Sequence, residues 1–280
     1  MENSFLREFI LRSLAEDLGD GDHTSLACIA TEKTGKARLL IKEKGILAGV
    51  RVAVEIFKTI DKDLNLEVML EDGLPVNPGD EAFFVSGRQK SILKSERLVL
   101  NVMQRMSGIA TATHEYADLL KGLKTKILDT RKTTPGFRFL EKEAVRIGGG
   151  MNHRMGLYDM ILIKDNHIDY AGGISEAIKK TKEYLKRNNL DLKVEIEARS
   201  LVDVRKIISE GGVDRIMLDN FNIKDTCAAV EEISGIYETE SSGGINLSTI
   251  RSYAECGVDF ISVGALTHHV ISLDMSLKAM

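Results

Sequence analysis

The 280-residue sequence predicts an α/β barrel, complete or open, preceded by a mixed β-rich unit. Three observations carry that prediction. From about residue 125 short apolar β-type runs recur at 126–129, 160–163, 193–196, 215–218, 236–239 and 260–263. Helix-like stretches at 174–187, 200–210, 223–233 and 246–256 separate most of them, and strands alternating with helices imply parallel βα units. Each run also hands over to ionisable or glycine-rich residues, and an α/β barrel keeps its working groups at the C-terminal ends of its strands. Even spacing and six repeats favour a barrel over a doubly wound sheet.

In chain order, Phe5, Leu6, Phe9, Ile10 and Leu14 recur at helical spacing, with Gly19 as a stop. The segment 16–25 is an acidic, glycine-punctuated turn. Asp17, Asp20 and Asp22 fail the calcium-loop pattern because no glycine and glutamate follow in register, so capping carboxylates are the expectation. Residues 37–47 read as paired strands around a turn. Val50, Ala53, Val54, Phe57 and Ile60 form one helix face, and Leu66, Val68 and Leu70 alternate as a half-buried strand. A turn cluster at 75–80 precedes an extended stretch at 81–92. Leu98, Val102 and Met106 mark a long helix expected to break at Ser107-Gly108. Arg97 and Arg105 project from one side of it, and pattern alone makes Arg105 a solvated or ion-paired group.

Composition bounds the function. Hydrophobic residues make up 43% and charged residues 29%, ordinary for a globular enzyme and unlike a disordered chain. A net charge of −4 argues against a general nucleic-acid surface. No apolar run approaches the roughly 18 residues of a membrane span, and the opening residues lack the basic-then-apolar order of a signal peptide. Cys28, Cys227 and Cys256 show no C-x-x-C spacing and predict isolated, mostly buried thiols. A cytoplasmic protein without nucleic-acid or membrane partners is the expectation.

Against that acidic background, 129–167 holds seven Lys or Arg and five Asp or Glu, so positive charge concentrates there. The strand ends read Thr130-Arg131-Lys132, Lys164-Asp165-Asn166-His167, Glu195-Ile196-Glu197, Asp219-Asn220, Ser241-Ser242-Gly243-Gly244 and Ser262-Val263-Gly264. The glycines suit a phosphate cradle of backbone N–H groups, although a tight turn explains either pair alone. Arg131, Lys132, His153, Arg154 and Lys164 exceed the needs of one phosphate and suit a planar substrate with two carboxylates. Glu195 and Glu197 share a strand face, and Glu197, nearer the end, is the better functional candidate. Glu197 and Asp219 suit ribose hydroxyls, or magnesium shared with a pyrophosphate. The residues by themselves point to a barrel enzyme acting on phosphorylated and carboxylated small molecules.

Longer motifs sharpen this. Glu16-Asp17-Leu18-Gly19, Glu96-Arg97, Leu100-Asn101, Ser107 to Thr111, Asp129 to Gly136, Gly148 to Gly150 with His153-Arg154, Lys164 to His167, Leu218 to Phe221, Ser242 to Ile245 and Ser262 to Gly264 occur in order. Together they resemble the quinolinate phosphoribosyltransferase family nearly end to end; His23, where an apolar residue is usual, is a small departure. The resemblance implies phosphoribosyl transfer from phosphoribosyl pyrophosphate to quinolinate with decarboxylation. It implies an N-terminal α/β sandwich over 1–108, an open-faced α/β barrel over 109–265 and a tail, 266–280, packing back on the first domain. Lys132, Lys164, Glu197 and Asp219 would be catalytic. Arg105, Arg131, Lys132, Thr133, His153, Arg154 and Lys164 would bind quinolinate. Glu197, Asp219, Ser242, Gly243, Gly244, Ser262, Val263 and Gly264 would face phosphoribosyl pyrophosphate, with Mg2+ held mainly by that substrate and jointly by Glu197 and Asp219. A homodimer is implied, with Arg105 donated across the interface and a hexamer as the alternative assembly. The rival readings are a nicotinate-using or molybdenum-transport-associated paralogue, a Schiff-base lyase on Lys164, and a binding protein that keeps the fold.

Overall fold

A computed structural model describes residues 2–280; Met1, where the expected first domain begins, lies outside the described residues. The chain divides into two units. The first comprises Met1–Ala112, Thr134–Gly148 and His269–Met280; the second comprises Thr113–Thr133 and Gly149–His268.

The first unit opens with α1 (Glu2–Leu18) and α2 (His23–Cys28). Gly19 takes φ +48 after α1, and Asp22 caps α2 by accepting the Ser25 N–H at 3.0 Å, so one of the turn's aspartates serves as a cap. Then come β1 (Thr34–Ile41), β2 (Gly45–Ile46), α3 (Val50–Ile60), β3 (Asn65–Val68), β4 (Pro75–Val76) and β5 (Glu81–Arg88). Helix α3 buries Val50, Val52, Ala53, Ile56 and Phe57, and Phe57 meets Phe83 of β5 edge-on at 5.8 Å. Each large apolar side chain among them contributes about 1.5–3 kcal/mol of burial. The expected pairing within 37–47 does not form: β1 is a central strand between β5 and β12 (Met275–Ala279), while β2 pairs with β4. Alternating apolar residues satisfy either arrangement; the partners were too distant in sequence to be read.

Helix α4 (Gln89–Leu119) does not break at Ser107-Gly108. Ser107 Oγ accepts the Ala48 N–H at 2.9 Å and donates to the Ala48 carbonyl at 3.1 Å. A side chain at Gly108 would collide with the Ile271 carbonyl. The pair is there for close packing, and Thr111 to Leu119 continue the same helix. Helix α5 (Arg138–Ile147) belongs to the first unit, where Phe9 packs edge-on against Phe137 and Phe139.

The second unit runs β6 (Lys126–Leu128), β7 (Ile161–Ile163), α6 (Asp165–Ala171), α7 (Ile174–Asn188), β8 (Val194–Ala198), α8 (Leu201–Glu210), β9 (Arg215–Asp219), α9 (Ile223–Ile233), β10 (Glu238–Ser242), α10 (Ile250–Glu255), β11 (Phe260–Ser262) and α11 (Ala265–His268). All six strands are parallel, in the order β6-β11-β10-β9-β8-β7. Every step from β7 to β11 goes the same way, so right-handed crossovers put the helices on one face and the sheet curls. The last strand comes beside the first, and the gap falls between β6 and β7: an open-faced α/β barrel. Segment 149–154 lies along the β6 edge, with Met151 N–H on the Ile127 carbonyl at 2.9 Å and Asp129 N–H on the Met151 carbonyl at 3.1 Å.

Two expectations are corrected here. Strand β10 starts two residues later than the apolar run suggested, so Glu240, Ser241 and Ser242 are strand residues. Cys227 and Cys256 form a disulfide, because α9 and α10 lie side by side; the remaining thiol, Cys28, is exposed. No helix among the described residues is long and apolar enough to cross a membrane.

Candidate active site

Parallel strands that share a sheet end together, so the residues just beyond them meet at the barrel mouth. A cavity of about 320 Å³ there is lined by Thr130, Arg131 and Lys132 after β6, His153 and Arg154 from the edge segment, Leu162 and Lys164 of β7 and its end, Glu197 of β8, Met217 and Asp219 of β9, Glu240 and Ser242 of β10, and Ser262 of β11. Every strand contributes. Nine of the residues named from the sequence are brought together: Arg131, Lys132, His153, Arg154, Lys164, Glu197, Asp219, Ser242 and Ser262.

The cationic wall is held by its own main chain. Asp129, fully buried, accepts the His153 N–H at 2.9 Å and so docks 153–154 against the end of β6. The Lys132 carbonyl accepts from Thr267 Oγ1 at 2.8 Å, and its N–H donates to Thr130 Oγ1 at 3.1 Å. The Arg154 guanidinium, nearly buried, donates to the Met160 carbonyl at 3.2 Å. Burial, then the neighbouring Arg131, pull the Arg154 pKa down from its usual value, and Glu195, Asp159 and Glu197 oppose that. Two arginines crowded against each other make a wall that gains from an anion.

Facing them, the Glu197 carboxylate accepts the Asp165 N–H at 3.0 Å and lies 3.4 Å from Lys164 Nζ. Burial, and secondarily Glu197, push the Asp219 carboxyl upward. A cavity with crowded cations on one side and crowded carboxylates on the other favours a ligand carrying both an anionic and a cation-associated or hydroxylated part.

The other named residues sit differently. Thr133 follows Lys132 and its hydroxyl donates to the Arg131 carbonyl at 3.5 Å. Gly243, at φ +99, lies where a side chain would strike Asn220, and Asn220 N–H in turn bonds the Ser242 carbonyl at 2.8 Å. Gly244 has φ +65, Val263 is buried with its N–H on the Leu128 carbonyl at 3.0 Å, and Gly264 makes room for Lys132 and His268. Arg105 is in the first unit, where it donates to Glu141 at 2.8 and 2.6 Å and to Thr134 Oγ1 at 2.9 Å.

One layer of the site was only partly read in the sequence, which singled out Glu195 beside Glu197 but neither Arg215 nor Glu240. Glu195, Glu240 and Arg215 occupy the barrel interior, with Arg215 3.0 Å from Glu240 and 3.1 Å from Glu238. Burial raises the pKa of both Glu195 and Glu240. The available signal was charge at alternate positions of otherwise apolar strands: Glu195 with Glu197, and Glu238 with Glu240.

Residues 22–107 match the family described as quinolinate phosphoribosyl transferase, N-terminal domain, and residues 109–278 its C-terminal domain. A nicotinate-nucleotide pyrophosphorylase [carboxylating], chloroplastic, from Arabidopsis thaliana is 47% identical over 98% of this chain and 82% of its own. A probable nicotinate-nucleotide pyrophosphorylase [carboxylating] from Bacillus subtilis is 41% identical over 99% of this chain and 94% of its own. The solved structure of the nicotinate-nucleotide pyrophosphorylase from Francisella tularensis superposes with a TM-score of 0.92 at 40% identity, covering 99% of this chain and 97% of that one.

Proposed function

The chain belongs to the quinolinate phosphoribosyltransferase family, and from that premise we propose that its cavity joins quinolinate to the ribose of phosphoribosyl pyrophosphate. The products are nicotinate mononucleotide, pyrophosphate and carbon dioxide, a step of de novo NAD synthesis. The observation that supports this reading best is the gathering of Arg131, Lys132, Arg154 and Lys164 with Glu197, Asp219, Ser242 and Ser262 around one cavity.

In this reading Arg131, Arg154 and Lys132 hold the two carboxylates of quinolinate, with His153, Thr133 and Lys164 completing that half. Ser242, Gly243, Gly244, Ser262, Val263 and Gly264 hold the phosphoribosyl half. The pyridine nitrogen attacks the anomeric carbon as its bond to pyrophosphate breaks. Cationic character builds on that carbon, and the carboxylates of Glu197 and Asp219 favour it electrostatically. Lys132 and Lys164 favour the departing pyrophosphate. The pyridinium product then accepts the electron pair of the breaking C–CO2 bond, and the ring carbon takes a proton. Glu197 and Asp219, neighbouring carboxylates that line the cavity, would hold Mg2+ jointly with the pyrophosphate. When bound, magnesium supplies positive charge to the leaving pyrophosphate.

Incubation with quinolinate, phosphoribosyl pyrophosphate and magnesium should release carbon dioxide in step with nicotinate mononucleotide. Turnover of nicotinate without carbon dioxide would transfer the assignment to the nicotinate-using paralogue. We propose further a cytoplasmic homodimer, or a hexamer built from such dimers, in which Arg105 serves the partner subunit's site. Mixing Arg105→Ala and Arg154→Ala proteins should then raise activity above that of either alone at limiting quinolinate, while cell fractionation tests the compartment.

A further inference from the structure

Two glutamates, Glu195 on β8 and Glu240 on β10 at the cavity floor, are wholly buried inside the barrel. None of the steps above uses them. Buried carboxylates persist only with partners. Here the partners include one guanidinium, one imidazole, the Ser262 side chain beside Glu240, and each other. Arg215 is in register with Glu195 on the next strand, lies 3.0 Å from Glu240 and stacks 4.0 Å from the Phe260 ring centroid. His153 Nε2 lies 2.9 Å from Glu195 and 3.5 Å from Glu240.

The other ring nitrogen decides what this does. His153 Nδ1 accepts the main-chain N–H of Arg154 at 2.7 Å. An accepting Nδ1 carries no proton, so the proton sits on Nε2, the nitrogen that lies 2.9 Å from Glu195. The imidazole thus ties the main chain of Arg154 to carboxylates anchored on strands. The Arg154 guanidinium is fixed separately, by the Met160 carbonyl.

We propose that Glu195 and Glu240 are positioning residues: they hold His153 as the neutral Nε2–H tautomer, and the ring in turn sets Arg154 for the dicarboxylate. The proposal rests on reading the cavity as the quinolinate site. It gives His153 the task of geometry, leaving charge to Arg131, Arg154 and the lysines.

Nitrogen-15 NMR of the ligand-free protein, with the His153 signal identified by its loss in His153→Gln, reads the tautomer without any substrate. A protonated Nε2 beside a bare Nδ1 is expected at neutral pH; an Nδ1–H tautomer or a doubly protonated ring overturns the proposal. Kinetics give the second readout. Glu195→Gln keeps the shape and replaces the carboxyl group by an amide, and should raise the KM for quinolinate roughly ten- to a hundredfold while leaving that for phosphoribosyl pyrophosphate unchanged. Added to His153→Gln it should cost little more, since both act through one ring. Equal effects on both KM values, or full additivity, would refute positioning. Should Glu195→Gln fail to fold, Glu240→Gln and the wild-type spectrum carry the test. A wild-type enzyme inert toward quinolinate would sink the proposed reaction while leaving the tautomer result standing.

Discussion

Arg154 shows how much one residue's surroundings add to its identity. It is nearly buried, crowded by Arg131 and held at Met160, so its guanidinium has surrendered water before any ligand arrives. Arg154→Ala should weaken quinolinate binding by roughly ten- to a hundredfold, the worth of one charged hydrogen bond, as measured by titration calorimetry. Asp61 makes a second case, in the first unit. Hydrogen bonding from Arg88 brings its pKa down from 3.8 to about 2. A carboxyl depressed on folding stabilises above its unfolded pKa and loses that contribution as pH falls toward the folded value. The melting temperature should therefore fall between about pH 4 and pH 2, and Asp61→Asn should be less stable above that window and flatter across it. The site cations were legible in the sequence because charge is rare at the end of an apolar run. Glu240 was harder than Glu195, which its spacing from Glu197 already marked: a charged residue inside a strand ordinarily faces solvent, and only the closing of the sheet turns that face inward.

At the level of elements, the βα rhythm was readable because each strand and helix is a local pattern. What went wrong involved distant partners. Ser107-Gly108 looks like a helix break because glycine lowers helix propensity; it is retained within α4 because Ile271, far along the chain, lies where a side chain would go. Gly108→Ala should therefore lower the melting temperature, overpacking by about 1–3 kcal/mol against a propensity gain of about 1. The Cys227–Cys256 link was hidden for the same reason, since 29 positions separate the two. One thiol, Cys28, should react with a thiol reagent in the native protein and three after reduction and unfolding. Reduction should also lower stability, by about 3 kcal/mol for a loop of this size.

For the molecule as a whole, the first unit is assembled from three separated pieces of chain, and the final piece is structural. Strand β12 pairs with β1 from Ala37↔Ala279 to Ile41↔Met275, and Leu273, Met275 and Leu277 are buried. Three such side chains contribute about 1.5–3 kcal/mol each, a large part of the roughly 5–15 kcal/mol that holds a domain folded. A chain ending at residue 272 should lack a cooperative melt and aggregate, as light scattering would report. The same pairing has a consequence during synthesis. At roughly 5–20 residues per second a ribosome needs more than about ten seconds to go from β1 to β12. Throughout that time β1 has one sheet edge unpaired, open to chaperones and proteases. Premature termination leaves it so permanently. Products truncated before β12 should therefore be cleaved faster by a protease than the 280-residue chain, since the β1 edge that β12 covers stays open.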